Sequence, residues 1–226
     1  MFVVTIGTDK YTGKAGQEYF DAYRAELLSP EIGQRKADKL NAYLDPSWSI
    51  VDFGCSAGQI TAKLKVREKV GVEVSEAAVR VAREAHGLQV VRTLDELPAS
   101  TYDAVVTHHV LEHVVDPIRI LLAFQRILKS AGKAIIVVPG EAAWYPGHNH
   151  WREEINKHLF SWTPLTLGNL CVSAGFVVDV AKPLTYTEPS RYFGPLRHLP
   201  MSRKVMGRLR QYIRGENEVL LVAHKP

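Results

Sequence analysis

Ile50-Val51-Asp52-Phe53-Gly54-Cys55-Ser56-Ala57-Gly58-Gln59 is the stretch that decides the fold. An apolar strand, Ile50–Phe53, runs into a loop of small residues. Gly54 and Gly58 carry no Cβ, so the backbone there can turn sharply and approach a ligand closely. A helix is expected to open near Gly58, with its first N–H groups facing the crevice at the strand end. Asp52, at the end of the strand, is placed to accept a hydrogen bond from a ligand's ammonium or hydroxyl. Twenty-one positions after Asp52, Glu73 closes a second apolar run, Val70-Gly71-Val72-Glu73-Val74. An acid at that place can grip both hydroxyls of a ribose. Taken singly, the glycines are turn glycines and Glu73 is a surface acid. Loop, acid and spacing together argue for a nucleoside site.

The same alternation continues outward. Further strands are expected at Leu88–Val91, Ala104–Thr107, Ala134–Val138, Phe176–Val180 and Val219–Ala223, and helices from near Ser75, Pro117 and Pro164. Asp116-Pro117 and Thr163-Pro164 each put a capping side chain before a proline at the first helical position. Gly87, Gly132 and Gly175 stand where helix C-caps belong. Strands alternating with helices give an α/β fold, a doubly wound (Rossmann-like), seven-stranded, mostly parallel sheet with helices on both faces. Ligands of such sheets bind at the carboxyl ends of the strands.

The chain of 226 residues, 46% hydrophobic, suits a single domain over 1–226. Residues 1–45 read as a helical N-terminal cap, with Pro30 separating two helices. Residues 185–215 interrupt the rhythm with Arg191, Arg197, Arg203, Lys204, Arg208, Arg210 and Arg214, and read as a basic insertion or lid before the last strand. That segment suits an anionic substrate group, a solvated basic helix over Met201–Arg214, or a membrane surface. Cys55 and Cys171 are far apart and form no metal-type pair, which suits a reducing compartment. With no basic leader and no apolar run near the ~20 residues of a membrane helix, a cytoplasmic protein is expected. The net charge of +4 favours anionic small molecules but does not argue for nucleic acid. The oligomeric state stays open.

The loop is Gly54-x-x-x-Gly58, not the G-x-G-x-x-G of a dinucleotide site. The pattern D-x-G-x-x-x-G, followed by an acid in the second strand, resembles the class I S-adenosylmethionine-dependent methyltransferases. Tyr102-Asp103-Ala104-Val105-Val106-Thr107-His108-His109-Val110-Leu111-Glu112-His113-Val114-Val115-Asp116-Pro117 resembles the fourth strand of that family and the Leu-Glu-His-Val and Asp-Pro sequence after it. That sequence is common in the subgroup of quinone-biosynthesis and natural-product methyltransferases. His158-Leu159-Phe160-Ser161-Trp162-Thr163-Pro164, leading into Ala174-Gly175-Phe176, is similar to a later region of the same subgroup. The resemblance spans residues 48–182.

The resemblance implies S-adenosyl-L-methionine as cofactor and a small molecule as acceptor, with oxygen the favoured atom. It puts Asp52, Phe53, Gly54, Cys55 and Gly58 around the methionyl part, Glu73 on the ribose and Val74 beside the adenine. Leu94 would flank the adenine and His108 would line the pocket, with Tyr19 and Tyr11 closing over it. Of the histidines His108, His109, His113, His148, His150 and His158, His158 and then His113 are the leading candidate general bases for a hydroxyl acceptor. Trp144, Tyr145, Trp151 and Trp162 are candidates to line the acceptor pocket. Some quinone methyltransferases of the subgroup hold a divalent metal with acids before and within this segment. Here His108 and His109 replace the acidic approach and only Glu112 remains, so no metal is expected; His148 and His150 read as loop residues. A nucleic-acid methyltransferase is the alternative, although no Asn-Pro-Pro-Tyr-like segment, no Pro-Cys nucleophile and no separate RNA-binding domain is present. An NAD(P)-dependent oxidoreductase is a further alternative, opposed by the missing dinucleotide fingerprint.

Overall fold

The computed structural model describes residues 10–140, 158–185 and 217–226. Its centre is β1 (Ser49–Phe53), buried along its whole length. On one side lie β2 (Glu68–Val72) and β3 (Gln89–Val91); on the other lie β4 (Tyr102–His108) and β5 (Leu128–Pro139). Next come β7 (Asn217–His224) and, at the far edge, β6 (Val177–Thr185), giving the order β3-β2-β1-β4-β5-β7-β6. Strands β1 to β5 pair in parallel, whereas β7 runs antiparallel to both β5 and β6. The sheet is therefore seven-stranded and mostly parallel, with one reversed strand. After β3 the chain returns to lay β4 beside β1. The strand order reverses there, which opens a crevice at the carboxyl ends of β1 and β4.

Both faces of the sheet are covered, which is why its strands read as nearly unbroken apolar runs. Helices α4 (Pro117–Ile127) and α5 (Pro164–Ser173) cover one face, burying Phe124, Leu121 and Leu167 against Val51, Val105 and Ile136. Helix α2 (Pro30–Asn41) covers the other, with Ala37 and Leu40 against Ile50, Val106 and Ile135. Helix α1 (Gly13–Leu27) lies against α3 (Glu76–His86), where Phe20 meets Ala77 and Ala78. No helix among the described residues is long and apolar enough to cross a membrane.

The local signals act as their chemistry dictates. Asp116 accepts from the Arg119 N–H and Thr163 from the Thr166 N–H, with Pro117 and Pro164 starting the helices. Gly87 caps α3 in the left-handed conformation, and Gly175 takes φ +87° just after α5. Two expectations fail. Gly132 lies inside the β5 run and is no cap: α4 ends at Ile127 and Leu128 is already extended. The helix expected from Gly58 is a single 3-10 turn, Thr61–Lys63. The reason is that α2 already covers that sheet face. Its last residue, Asn41, also donates to the Lys63 carbonyl and accepts from the Lys65 N–H, which draws the segment out toward β2.

Candidate active site

A cavity of about 420 Å³ opens at the reversal point between β1 and β4, within the roughly 300–1,000 Å³ of small-molecule sites. Three strand-end loops and the helices α1 and α2 form its wall.

The loop after β1 is pinned from two sides. The N–H groups of Gly54 and Cys55 both donate to the Val72 carbonyl, at 2.8 and 3.2 Å. Gly54 has φ +78°, and a Cβ there would stand 2.3 Å from Val110 Cγ2. The glycine is thus required by both conformation and space. Ser56 takes φ +49°, a left-handed backbone that costs a non-glycine residue on the order of 1 kcal/mol. That turn aims the Ser56 N–H at Glu73 Oε2, 2.9 Å away, while the Ser75 N–H donates to Oε1 at 2.7 Å. Glu73 is thereby fixed in direction with its remaining lone pairs free to accept. Burial raises its pKa, and the backbone amides oppose the rise.

The loop after β4 carries the histidines. His108 is buried; burial, then the nearness of His109, Lys36 and Lys39, push its imidazole well below the usual histidine range, toward the neutral form. His109 stacks on it at 4.4 Å with φ +56°, and its Nε2 stands 3.1 Å from Glu218 Oε1. The Lys39 ammonium, from α2, pairs with the other Glu218 oxygen. Burial alone would raise the Glu218 carboxyl; the His109 hydrogen bond and the Lys39 charge bring it down to about 2. Glu112, in the 3-10 turn Leu111–His113, is fully buried and neither of its oxygens has a hydrogen-bond partner among the described residues. Burial pushes it up to about 7, while the nearby His109 and a backbone hydrogen bond oppose the rise. His113 Nε2 is 3.8 Å from Glu112 Oε1, and its ring lies 5.6 Å from Tyr11 and 4.8 Å from His158. Tyr11 and Tyr19 meet edge to face at 5.0 Å, with Tyr23 4.7 Å beyond Tyr19. Burial, then neighbouring phenols and carboxylates, raise both Tyr11 and Tyr19, the latter to about 12.

Of the residues expected from sequence, Phe53, Gly54, Cys55, Glu73, Val74, His108, Tyr11, Tyr19, His113 and His158 lie on the cavity wall, the last with an exposed side chain. Four do not. Asp52 faces away, toward the side covered by α2, and accepts a hydrogen bond from the Thr61 hydroxyl. Burial raises it to about 6, with that bond opposing. Gly58, at φ +82°, is set against α3 and β3: a Cβ would meet Leu88 Cδ1 at 2.6 Å. Leu94 is buried in the core beside the helix-α4 face. Trp162, expected on the acceptor wall, is likewise a core residue, tilted against Phe160 at 5.4 Å. His148, His150, Trp144, Tyr145, Trp151 and the basic stretch 186–215 lie outside the described residues.

Sequence reasoning missed Ser56, Thr61, Lys36, Lys39 and Glu218. Glu218 left one trace: it is the acid directly before the apolar run Val219–Ala223. Because β7 is antiparallel, its first residues lie at the carboxyl edge of the parallel strands, with Glu218 opposite Pro139. Two groups of three, His108–His109–Glu218 and Glu112–His113–His158, bring possible metal-ligand atoms within 4.8 Å of one another.

Comparison with known proteins agrees with this geometry. Residues 20–180 match the model of the methyltransferase domain family. The ubiquinone biosynthesis O-methyltransferase of Xanthomonas oryzae pv. oryzae (strain PXO99A) is 28% identical over 141 residues, 57% of this chain and 58% of that protein. The chain thus spans little more than half of that relative's length. The ubiquinone biosynthesis O-methyltransferase of a Ruegeria species (strain TM1040) is 37% identical over 97 residues, 38% of this chain and 39% of that protein. Among solved structures, a SAM-dependent methyltransferase from Archaeoglobus fulgidus superposes with a TM-score of 0.67 at 20% identity, covering 92% of this chain and 99% of that one. A Haemonchus contortus phosphoethanolamine N-methyltransferase 2, in complex with S-adenosyl-L-methionine, gives 0.65 at 15% identity, covering 99% of this chain and 60% of that one.

Proposed function

The chain belongs to the methyltransferase domain family, within the class I S-adenosylmethionine-dependent methyltransferases, and on that premise we propose that it methylates a small-molecule hydroxyl in this cavity. The observation that carries the reading is Glu73. A carboxylate at the end of β2, held by two amides and still able to accept, is suited to a ribose diol. The cofactor supplies an electrophilic methyl group. Gly54 and Cys55 would hold its methionyl part, with Phe53 behind them, and Val74 would face its adenine. His108 and, from α1, Tyr19 would complete the wall around it. Asp52 and Gly58 act indirectly, shaping the loop through Thr61 and through the packing on α3.

The cavity's part in the reaction is to hold the acceptor atom in line with the methyl carbon and sulfur. His113 and His158 stand at the acceptor side as candidates for proton handling. Oxygen as the acceptor atom is supported by the O-methyltransferase relatives. An anionic acceptor is supported by the net charge of +4 and the arginines of 186–215. No metal is assigned to the reaction. The two cysteines are buried and unbridged, which suits the cytoplasmic location included in this reading. The reading also treats 1–226 as one domain with an N-terminal cap and a basic lid.

Calorimetric titration with S-adenosylhomocysteine and with NAD tests it. Micromolar binding of the first and none of the second is expected, with Glu73→Ala weakening the affinity about tenfold or more, as for loss of hydrogen bonds to a charged group. Binding of NAD alone, or unchanged affinity in Glu73→Ala, would refute the assignment.

A further inference from the structure

Resting on the methyl-transfer reading, we propose that His109 is the base that takes the acceptor's proton and that the buried Glu218, locked by Lys39, positions it. Glu218 is 1% exposed and presents Oε2 to Lys39 and Oε1 to His109 Nε2, 3.1 Å away. A carboxylate only accepts, so Nε2 of His109 carries the hydrogen. The neutral ring then has its lone pair on Nδ1. His109 lines the cavity with its side chain 28% exposed, against 3% for His108, whose Nε2 is 3.7 Å from the same oxygen. Both stacked rings line the cavity, and His109 is the more exposed of the two. Its N–H donates to the Val137 carbonyl at 2.8 Å, which holds the residue at φ +56°. A histidine held in this rarely used conformation, on a cavity wall and on a buried carboxylate, matches the arrangement of a base and its orienting group.

The titratable and charged groups around His109 are His108 from β4, Glu112 from the turn after it, Glu218 from β7 and the Lys39 that pairs with it, while Lys36 of α2 acts on His108. They separate this reading from two others. The Glu112 carboxyl, 3.8 Å from His113 Nε2, is beyond hydrogen-bond distance and pushed toward the neutral form, so it does not do for His113 what Glu218 does for His109. A metal ion on His108, His109 and Glu218 would sit in the field of both lysines, which disfavours a doubly charged ion more than a single proton. The step balances without an oxidant or reductant. The acceptor O–H bond breaks and its proton goes to His109 Nδ1. The O–CH3 bond forms as the CH3–S bond breaks, and that electron pair stays on sulfur as a neutral thioether. Glu218 stabilises the imidazolium until the proton leaves to water.

The experiment uses the full chain with ¹⁵N-labelled histidine, recording long-range ¹H–¹⁵N spectra against pH and assigning His109 from His109→Gln. The expected result is the Nε2–H tautomer in the wild type. In Glu218→Gln, loss of the carboxylate should weaken that tautomer preference and raise the Nδ1–H population. Glu218→Asp should restore part of the preference. With 3,4-dihydroxybenzoate as the hydroxyl probe, His109→Gln should lower turnover about 100-fold or more, with S-adenosylhomocysteine affinity unchanged. An Nδ1–H tautomer, a spectrum indifferent to Glu218→Gln, or full turnover in His109→Gln overturns the proposal. So does zinc chloride that binds and perturbs both His108 and His109 while releasing protons. Failure of the wild type to bind S-adenosylhomocysteine defeats the methyl-transfer reading instead, and leaves the tautomer result standing by itself.

Discussion

Gly54→Ala gives a test whose size follows from geometry. Two costs arise. Gly54 lies at φ +78°, where an alanine pays about 1–2 kcal/mol. Its new Cβ would also stand 2.3, 3.0 and 3.2 Å from Val110 Cγ2, Cγ1 and Cβ. Rotation of the valine does not relieve this, because both methyls and their branch point face the glycine. Overpacking of this kind costs about 1–3 kcal/mol, so the variant should lose about 2–5 kcal/mol in total. Val110→Ala removes both offending methyls and leaves the Cβ contact at 3.2 Å. By itself it should cost about 1 kcal/mol, since Val110 is only partly buried. In the double variant most of the steric part disappears and the backbone part stays. The double should therefore be more stable than the sum of the singles by about 1–3 kcal/mol. Urea unfolding of the four proteins at one pH gives the cycle. Additivity within about 0.5 kcal/mol would refute the claim that Gly54 is held by Val110.

Two further outcomes are expected. Glu112 is raised from 4.5 to about 7, so the folded state binds its proton more tightly than the unfolded chain does. Stability from this group is therefore full below about pH 4.5, falls as pH rises to about 7, and costs about 3 kcal/mol above that. Glu112→Gln should flatten that slope and stabilise the protein at pH 8 in thermal or urea unfolding; an unchanged pH profile would contradict it. Ser56→Gly releases a non-glycine residue from φ +49° and should stabilise by up to about 1 kcal/mol, net of the chain entropy that glycine adds. A loss above about 1 kcal/mol would show that the Ser56 side chain has a role beyond the turn.

Much of this protein is legible from its sequence. The strands β1, β4 and β5 announce themselves because burial on both faces demands long apolar runs, and such runs are local. The caps at Asp116, Thr163 and Gly87 are equally local, since each satisfies backbone groups within four residues. Glu73 follows from register: it is the first residue after β2, so it falls at the carboxyl edge whatever surrounds it. The cavity's glycine loop and its place at the strand reversal follow from the same ordering.

What the sequence left undecided are matters of direction and of long range. Side chains alternate along a strand. Asp52 therefore shares Ile50's side, under α2, while Val51 and Phe53 point to the other; which side meets the ligand depends on where α2 packs. The same packing decides that Gly58 serves α3, that no helix follows it, and that Leu94 and Trp162 are core. The Lys39–Glu218–His109 cluster is further from view. Its members come from α2, β7 and the loop after β4 and are separated by up to 179 positions. Local pattern carries no information about such a meeting. Only the reversal of β7 within the sheet brings a buried carboxylate to the strand ends, where a lysine and a histidine offset the cost of burying its charge.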